Sequence, residues 1–128
     1  MLTHSVLYIA LTGALIMLTS IYITVLRAKT SILHGDGDND ALARARRSHT
    51  AMIEFGVPFL ALLVAYDVTA GSAAWVMWLG IAFLVTRLSH LLYFYRFAGM
   101  HVTRAVGAVG THAVNGILVV LLLIEALG

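Results

Sequence analysis

The chain contains no cysteine, a single proline and few charged side chains. Without cysteine there is no disulfide framework, no thiolate metal site and no cysteine nucleophile, so any thiol chemistry must come from a bound small molecule. Asp, Glu, Lys and Arg make up 11% of the 128 residues, against roughly 25% in a soluble domain. That shortage argues against a soluble enzyme, a nucleic-acid binder and a disordered chain. What fills the chain is apolar: 61% of residues are hydrophobic and the mean hydropathy is +0.95. This is the composition of a membrane protein.

A bilayer core about 30 Å thick takes roughly 20 apolar residues per spanning helix. Four stretches qualify: 7–26, 51–66 with a charged foot before it, 73–95 and 105–124. With their flanks they predict helices over about 5–28, 41–66, 73–96 and 103–126, in one transmembrane domain covering 1–128. The first stretch lacks a basic leader and a small-residue cleavage site, so it reads as a mature helix and not a signal peptide. Connections are expected at 34–40 (a glycine-acid turn), 67–72 and 97–100. Asp40 is expected to cap the second helix, and Pro58 to kink it.

Seven of the eight basic residues flank the first and third connections: Arg27, Lys29, Arg44, Arg46, Arg47, Arg96 and Arg104. Arg87, the eighth, lies about two turns inside that same end. The opposite end carries none, so most of the formal net charge of +2 is topology signal. Since cytoplasmic loops collect Lys and Arg, the basic end is expected in the cytoplasm and both termini in the periplasm, across a bacterial inner membrane.

Ionisable groups at membrane depth cost roughly 2.5–3.5 kcal/mol each on insertion scales and mark function by default. On the second helix, Arg44, Arg47, Ala51, Glu54 and Pro58 repeat at spacings of 3 and 4, which places them on one face. The functional reading is a cytoplasm-facing pocket for an anionic or zwitterionic ligand. The bland reading is that Arg44, Arg46 and Arg47 snorkel to headgroups. A carboxylate beneath them needs a partner, and Arg87 on the adjacent antiparallel helix is the expected one for Glu54. His90, one turn from Arg87, reads as an interhelical hydrogen-bonding group. His112 and Asn115 share the fourth helix with Gly107, Gly110, Ala113 and Gly116, a small-residue surface suited to helix packing. No metal is expected: H-E-x-x-H is absent, only His49 and His90 stand at matched depth for a haem, and the acidic turn lacks the glutamate a calcium loop needs.

Taken together, Arg44-x-x-Arg47-x-His49-x4-Glu54-x3-Pro58-Phe59 and the apolar run after it resemble the second-helix signature of the MAPEG family. These are the membrane-associated proteins of eicosanoid and glutathione metabolism, which include microsomal glutathione transferases, microsomal prostaglandin E synthase and leukotriene C synthase. Arg87-Leu-Ser-His90 looks like the family's Arg-x-x-His segment, and Arg104-Ala-Val-Gly107 takes the place of the arginine that opens the fourth helix. The likeness spans nearly the whole chain and is greatest to the small bacterial members. It implies an all-α, left-handed four-helix transmembrane bundle assembled as a homotrimer. It also implies glutathione as co-substrate between neighbouring protomers near the cytoplasmic side, and a lipophilic electrophile arriving from the bilayer.

The resemblance further implies roles for particular residues. Arg104 is the catalytic residue, stabilising the glutathione thiolate. Arg47 and Glu54 hold the tripeptide's charged ends, and His49 and His90 line the same cleft. Arg27 or Lys29, at the end of the first helix, contributes from the neighbour. Two positions depart from the family pattern. The asparagine three residues before the glutamate is Ala51, and the tyrosine four residues after the helix-three histidine is Phe94. Tyr93 and Tyr95 flank Phe94; either substitutes only if the helix rotates or the loop bends, and Tyr95 is counted with the binding set. The expected activity is a glutathione-dependent transferase or peroxidase. The alternatives are a non-catalytic lipid-binding or scaffold protein on the same fold, and a small transporter or proton relay using Glu54, Arg87, His90 and His112.

Overall fold

In a computed structural model, which describes residues 3–70, 73–97 and 99–128, the chain forms four helices: α1 (Thr3–Thr30), α2 (Asp40–Thr69), α3 (Ala73–Arg96) and α4 (Val102–Leu127). Each is long and apolar enough to cross a membrane. At 1.5 Å per residue they run about 36–45 Å, longer than the hydrocarbon core, so their ends emerge into the headgroups. Large apolar side chains such as Leu7, Met17, Leu18, Trp78, Val85 and Leu123 are exposed. Such a surface suits lipid, and the four helices fit a multi-pass integral membrane protein.

α1 pairs with α2 and α3 with α4, while α2 also meets both α3 and α4. The interior is divided along the bundle axis. In the half away from the basic end, Phe59, Leu63, Tyr66, Val76, Phe83, Val114 and Leu118 form the apolar core. Phe59 and Phe83 stack there with ring centroids 3.7 Å apart and planes within 4°. Toward the basic end, buried Leu42, Ala45 and Met52 are joined by a cluster of buried polar groups between α3 and α4: Thr86, Arg87, His90 and Thr111. That polar cluster is the floor on which the candidate site rests.

Two local expectations are corrected. The N-cap of α2 is Asn39, not Asp40: its extended backbone lets the side chain accept from the Leu42 N–H, at 2.9 Å. Asp40 instead occupies the first helical turn, where a carboxylate favours the positive end of the helix dipole. Asp67 is not a loop residue, since α2 continues to Thr69. Its buried carboxylate accepts from Ser5 N–H at 3.1 Å and from the Ser5 hydroxyl at 2.6 Å. This satisfies the start of α1 from the end of α2 and explains why an acidic residue tolerates burial there. The remaining link through Gly71 and Ser72, and Ala98 in the expected 97–100 connection, lie outside the described residues.

α3 approaches α1 closely at Gly80, where an added Cβ would run into the ring of Tyr8. Tyr8 is buried and its hydroxyl donates to the Met77 carbonyl at 2.8 Å. Gly80→Ala is therefore expected to displace Tyr8 and destabilise the bundle by about 1–3 kcal/mol. Thermal unfolding in detergent against Gly116→Ala, whose Cβ meets nothing within 4 Å, checks this.

Candidate functional site

The α2 stripe reaches the surface at the basic end. Arg44, Arg47, Glu54 and Pro58 are exposed and Ala51 is half-buried. An open trough of about 410 Å³ runs along this face, lined by Asp36, Arg46, Arg47, Thr50, Ala51 and Glu54. A second, smaller pocket of about 190 Å³ lies between α2 and α3, lined by Arg44, Arg47, Tyr93, Phe94 and Phe97. Arg47 belongs to both. The Arg104 guanidinium sits over the ring of Tyr93, 5.7 Å from its centroid. Arg44, Arg47 and Arg104 thus gather around one tyrosine, and Arg47 connects that cluster to the trough ending at Glu54.

Beneath this surface, α3 carries a buried cation. Arg87 is only 1% exposed, and its guanidinium donates to the Gly107 carbonyl, to the Thr111 hydroxyl and to His90 Nδ1. It also lies 4.6 Å from the Phe55 ring centroid and 5.8 Å from that of Phe83. Gly107 makes this possible, since a Cβ there would strike His90 and hold α4 away. Arginine only donates, so His90 accepts at Nδ1 and carries its proton on Nε2. The expected Arg87–Glu54 pair does not form. The only ion pair among the described residues joins Arg46 to Asp36. The physical reason is that a backbone carbonyl and a hydroxyl on α4 already meet the guanidinium, while Glu54 faces outward from α2.

The remaining expected site residues separate into those near the trough and those that are not. His49 faces α1, with Nδ1 2.8 Å from the Thr19 hydroxyl. Its neighbour Ser48 bonds the Tyr95 hydroxyl at 3.1 Å, and Tyr95 packs edge-on against Tyr22 of α1 at 5.5 Å. Tyr95 therefore lines a different space, an apolar groove of about 450 Å³ with Leu15, Leu18, Tyr22 and Leu91. Of the two tyrosines beside Phe94, Tyr93 is the one at the arginine cluster. At about 100° per residue, Tyr93 and Tyr95 point about 200° apart, so only one of the pair can face α2's arginines and the other must turn away. His90 stands between Arg87 and Tyr93, its ring 6.4 Å from the tyrosine ring. His112 is exposed and packs edge-on to Phe55 at 5.2 Å. Asn115 Oδ1 is buried without a partner among the described residues. On α4, Gly107 and Gly110 pack against α3, whereas Gly116 faces open space.

Arg27 and Lys29 also part. The Arg27 guanidinium donates to the carbonyls of Ile32 at 2.9 Å and Gly35 at 3.1 Å, clamping the turn between α1 and α2. Lys29 is exposed. Arg27→Ala is expected to speed amide exchange across residues 31–39 by tenfold or more, about one lost charged hydrogen bond. Lys29→Ala should leave that exchange unchanged.

No trio of potential metal-binding side chains occurs among the described residues. Four helices long and apolar enough to cross a membrane, with arginines gathered at one end, fit an α-helical integral membrane protein. A sequence model of the MAPEG family matches residues 5–124, and the chain belongs to the MAPEG family. Neither the curated proteins nor the solved structures contain a match to it.

Proposed function

We propose that this chain is a glutathione-dependent transferase or peroxidase acting on lipophilic electrophiles, with the basic end cytoplasmic and the site completed by neighbouring copies in a homotrimer. One observation carries the reading: Arg47 joins a trough that ends at a carboxylate to a pocket ringed by arginines and Tyr93. Glutathione carries an ammonium, two carboxylates and a thiol, and needs both signs of charge along its length with a cation near sulfur. Arg47, Arg44 and Glu54 supply the first requirement and Arg104 the second.

The chemistry follows from charge. A thiol is a weak nucleophile near pH 7, because the thiolate reacts and free thiol pKa values lie around 8.5. A guanidinium held beside the sulfur favours the anion, and each unit of pKa lowering corresponds to ~1.4 kcal/mol. Arginine suits the task because it stays protonated and is weakly hydrated. In conjugation the thiol proton leaves to water at the basic end. The sulfur pair then forms the S–C bond, and the displaced pair departs with the leaving group or, in an addition, moves from the π bond onto the electrophile's activating group and is protonated by water. The groove of Leu15, Leu18, Tyr22, Leu91 and Tyr95 offers a lipophilic molecule an apolar surface on the α1–α3 side of the bundle, separate from the arginine cluster.

Glu54 supports assembly with neighbouring copies. It is exposed in the single chain, about 21 Å along α2 from Asp40, where a lipid-facing carboxylate costs roughly 2.5–3.5 kcal/mol. A neighbouring copy laid over this face removes that cost and closes the trough. The second reading, a lipid-binding protein without catalysis, is favoured by Ala51, which brings no amide to the trough, and by Phe94, which brings no hydroxyl to the pocket. The ultraviolet band of the glutathione thiolate decides between them. The catalytic reading expects it to appear on mixing glutathione with the purified protein, and lipid binding without the band favours the alternative.

A further inference from the structure

α1 and α3 flank a groove of about 450 Å³ lined by Leu15, Leu18, Thr19, Tyr22, Leu91 and Tyr95. Tyrosines mark its two ends. Away from the basic end, Tyr8 lies against Gly80 and draws α1 onto α3; toward the basic end, the rings of Tyr22 and Tyr95 bridge the gap edge-on at 5.5 Å. Two of its hydroxyls are already engaged. Thr19 donates to the Ile16 carbonyl at 2.9 Å and meets His49 Nδ1 at 2.8 Å, and the Tyr95 hydroxyl meets that of Ser48 at 3.1 Å. What the groove offers an occupant is therefore mainly hydrocarbon contact. From Leu15 to Tyr22 it runs about 10 Å along α1, within the ~15 Å depth of one leaflet's hydrocarbon.

We propose that this groove seats one acyl chain of an anionic phospholipid whose phosphate is held at Lys29. Leu15, Leu18, Tyr22, Val25 and Lys29 repeat along α1 at spacings of 3 and 4. Lys29 therefore stands on the groove's own stripe, about 10 Å beyond Tyr22, where the helix emerges into the headgroups. Charge selects the head. Neither α1 nor α3 contains an acidic residue. Of their four cations, Arg27 is occupied by turn carbonyls and Arg87 is buried. Lys29 and Arg96 are left exposed and in no ion pair among the described residues. A head with net negative charge gains from both, whereas a zwitterionic head brings a competing ammonium. Gly56 packs α2 onto α1 at Thr12, and Glu54 points about 200° from it. A neighbouring copy laid over Glu54 thus leaves the groove open to lipid. None of the lining residues belongs to the trough or to the arginine pocket, so the site stands independently of the glutathione reading.

Native mass spectrometry of the full chain in an uncharged detergent, titrated with phosphatidylglycerol or with phosphatidylcholine of the same acyl chains, counts bound lipid and copy number together. Wild type is expected to retain phosphatidylglycerol about fivefold more tightly or better, the worth of one interfacial cation. Lys29→Gln should weaken phosphatidylglycerol by that factor and move phosphatidylcholine less than twofold. Leu18→Trp fills the groove from an exposed position and should weaken both lipids about tenfold, as two methylenes displaced from contact would. Leu123→Trp, similarly exposed on α4, should weaken neither. Equal retention of the two lipids by wild type, wild-type retention by Leu18→Trp, or an equal loss in Leu123→Trp overturns the site. A fall in copy number with Leu18→Trp gives the groove to a second copy of the chain and overturns it as well. A glutathione titration of Lys29→Gln closes the test: lost glutathione binding with an intact lipid preference would return Lys29 to a neighbour's thiol-peptide site and overturn the headgroup assignment.

Discussion

Arg104→Ala is expected to lower glutathione conjugation by about 100- to 1,000-fold, the usual cost of removing one preorganised charge stabiliser from an active site. The change should act on the rate with glutathione saturating, because the guanidinium interacts with a charge that the bound thiol acquires only on ionising. Stability should move by less than about 1 kcal/mol, since Arg104 is exposed and its cation–π contact with Tyr93 is worth only a fraction of that. Arg104→Lys should fall between, keeping the charge but losing the planar, weakly hydrated fork. Steady-state rates with a lipophilic chloronitrobenzene-type electrophile, read beside unfolding temperatures, separate the two effects. A loss of activity accompanied by an equal loss of folded protein would assign Arg104 to structure instead.

Arg87→Ala is expected to destabilise the bundle by about 3 kcal/mol or more, for two reasons that add. It empties a large volume in a side chain's place at the α3–α4 contact, and it strips donors from the Gly107 carbonyl, the Thr111 hydroxyl and His90 Nδ1. Arg87→Met fills much of the volume and avoids burying a charge, so it should recover part of the loss, though His90 Nδ1 loses its donor; the Gly107 carbonyl and the Thr111 hydroxyl keep each other and Thr86. Denaturant or thermal unfolding in detergent reads both. If Met were as damaging as Ala, the donors would dominate; if Met matched wild type, the packing would.

The four helices were legible in the sequence because length and hydropathy are properties of each segment alone. The α2 stripe was legible because 3.6-residue periodicity places Arg44, Arg47 and Glu54 on one face whatever surrounds them. What could not be read depended on other elements. Glu54 and Arg87 were paired on depth and opposite charge, but the partners Arg87 finds are a backbone carbonyl and a hydroxyl on α4, and neither advertises itself in composition. Tyr93 and Tyr95 differ only in helix rotation, so their separation into two pockets awaited the packing of α3 against α1 and α2. Asp36 lay in a turn recognisable from its glycines, yet its reach into the trough depends on the Arg27 clamp, a contact between residues in a helix and a loop. Asn39 and Asp40 are both good caps, and only the backbone angles choose between them.

The central claim is that the α2 arginine and carboxylate face is a receptor for glutathione. A titration of solubilised wild type and Arg47→Ala, followed by the shift in unfolding temperature, addresses it most directly. The account predicts a saturable rise for wild type and none for Arg47→Ala, because that side chain alone belongs to both the trough and the pocket. An equal rise in both proteins, or no rise in wild type, would contradict it.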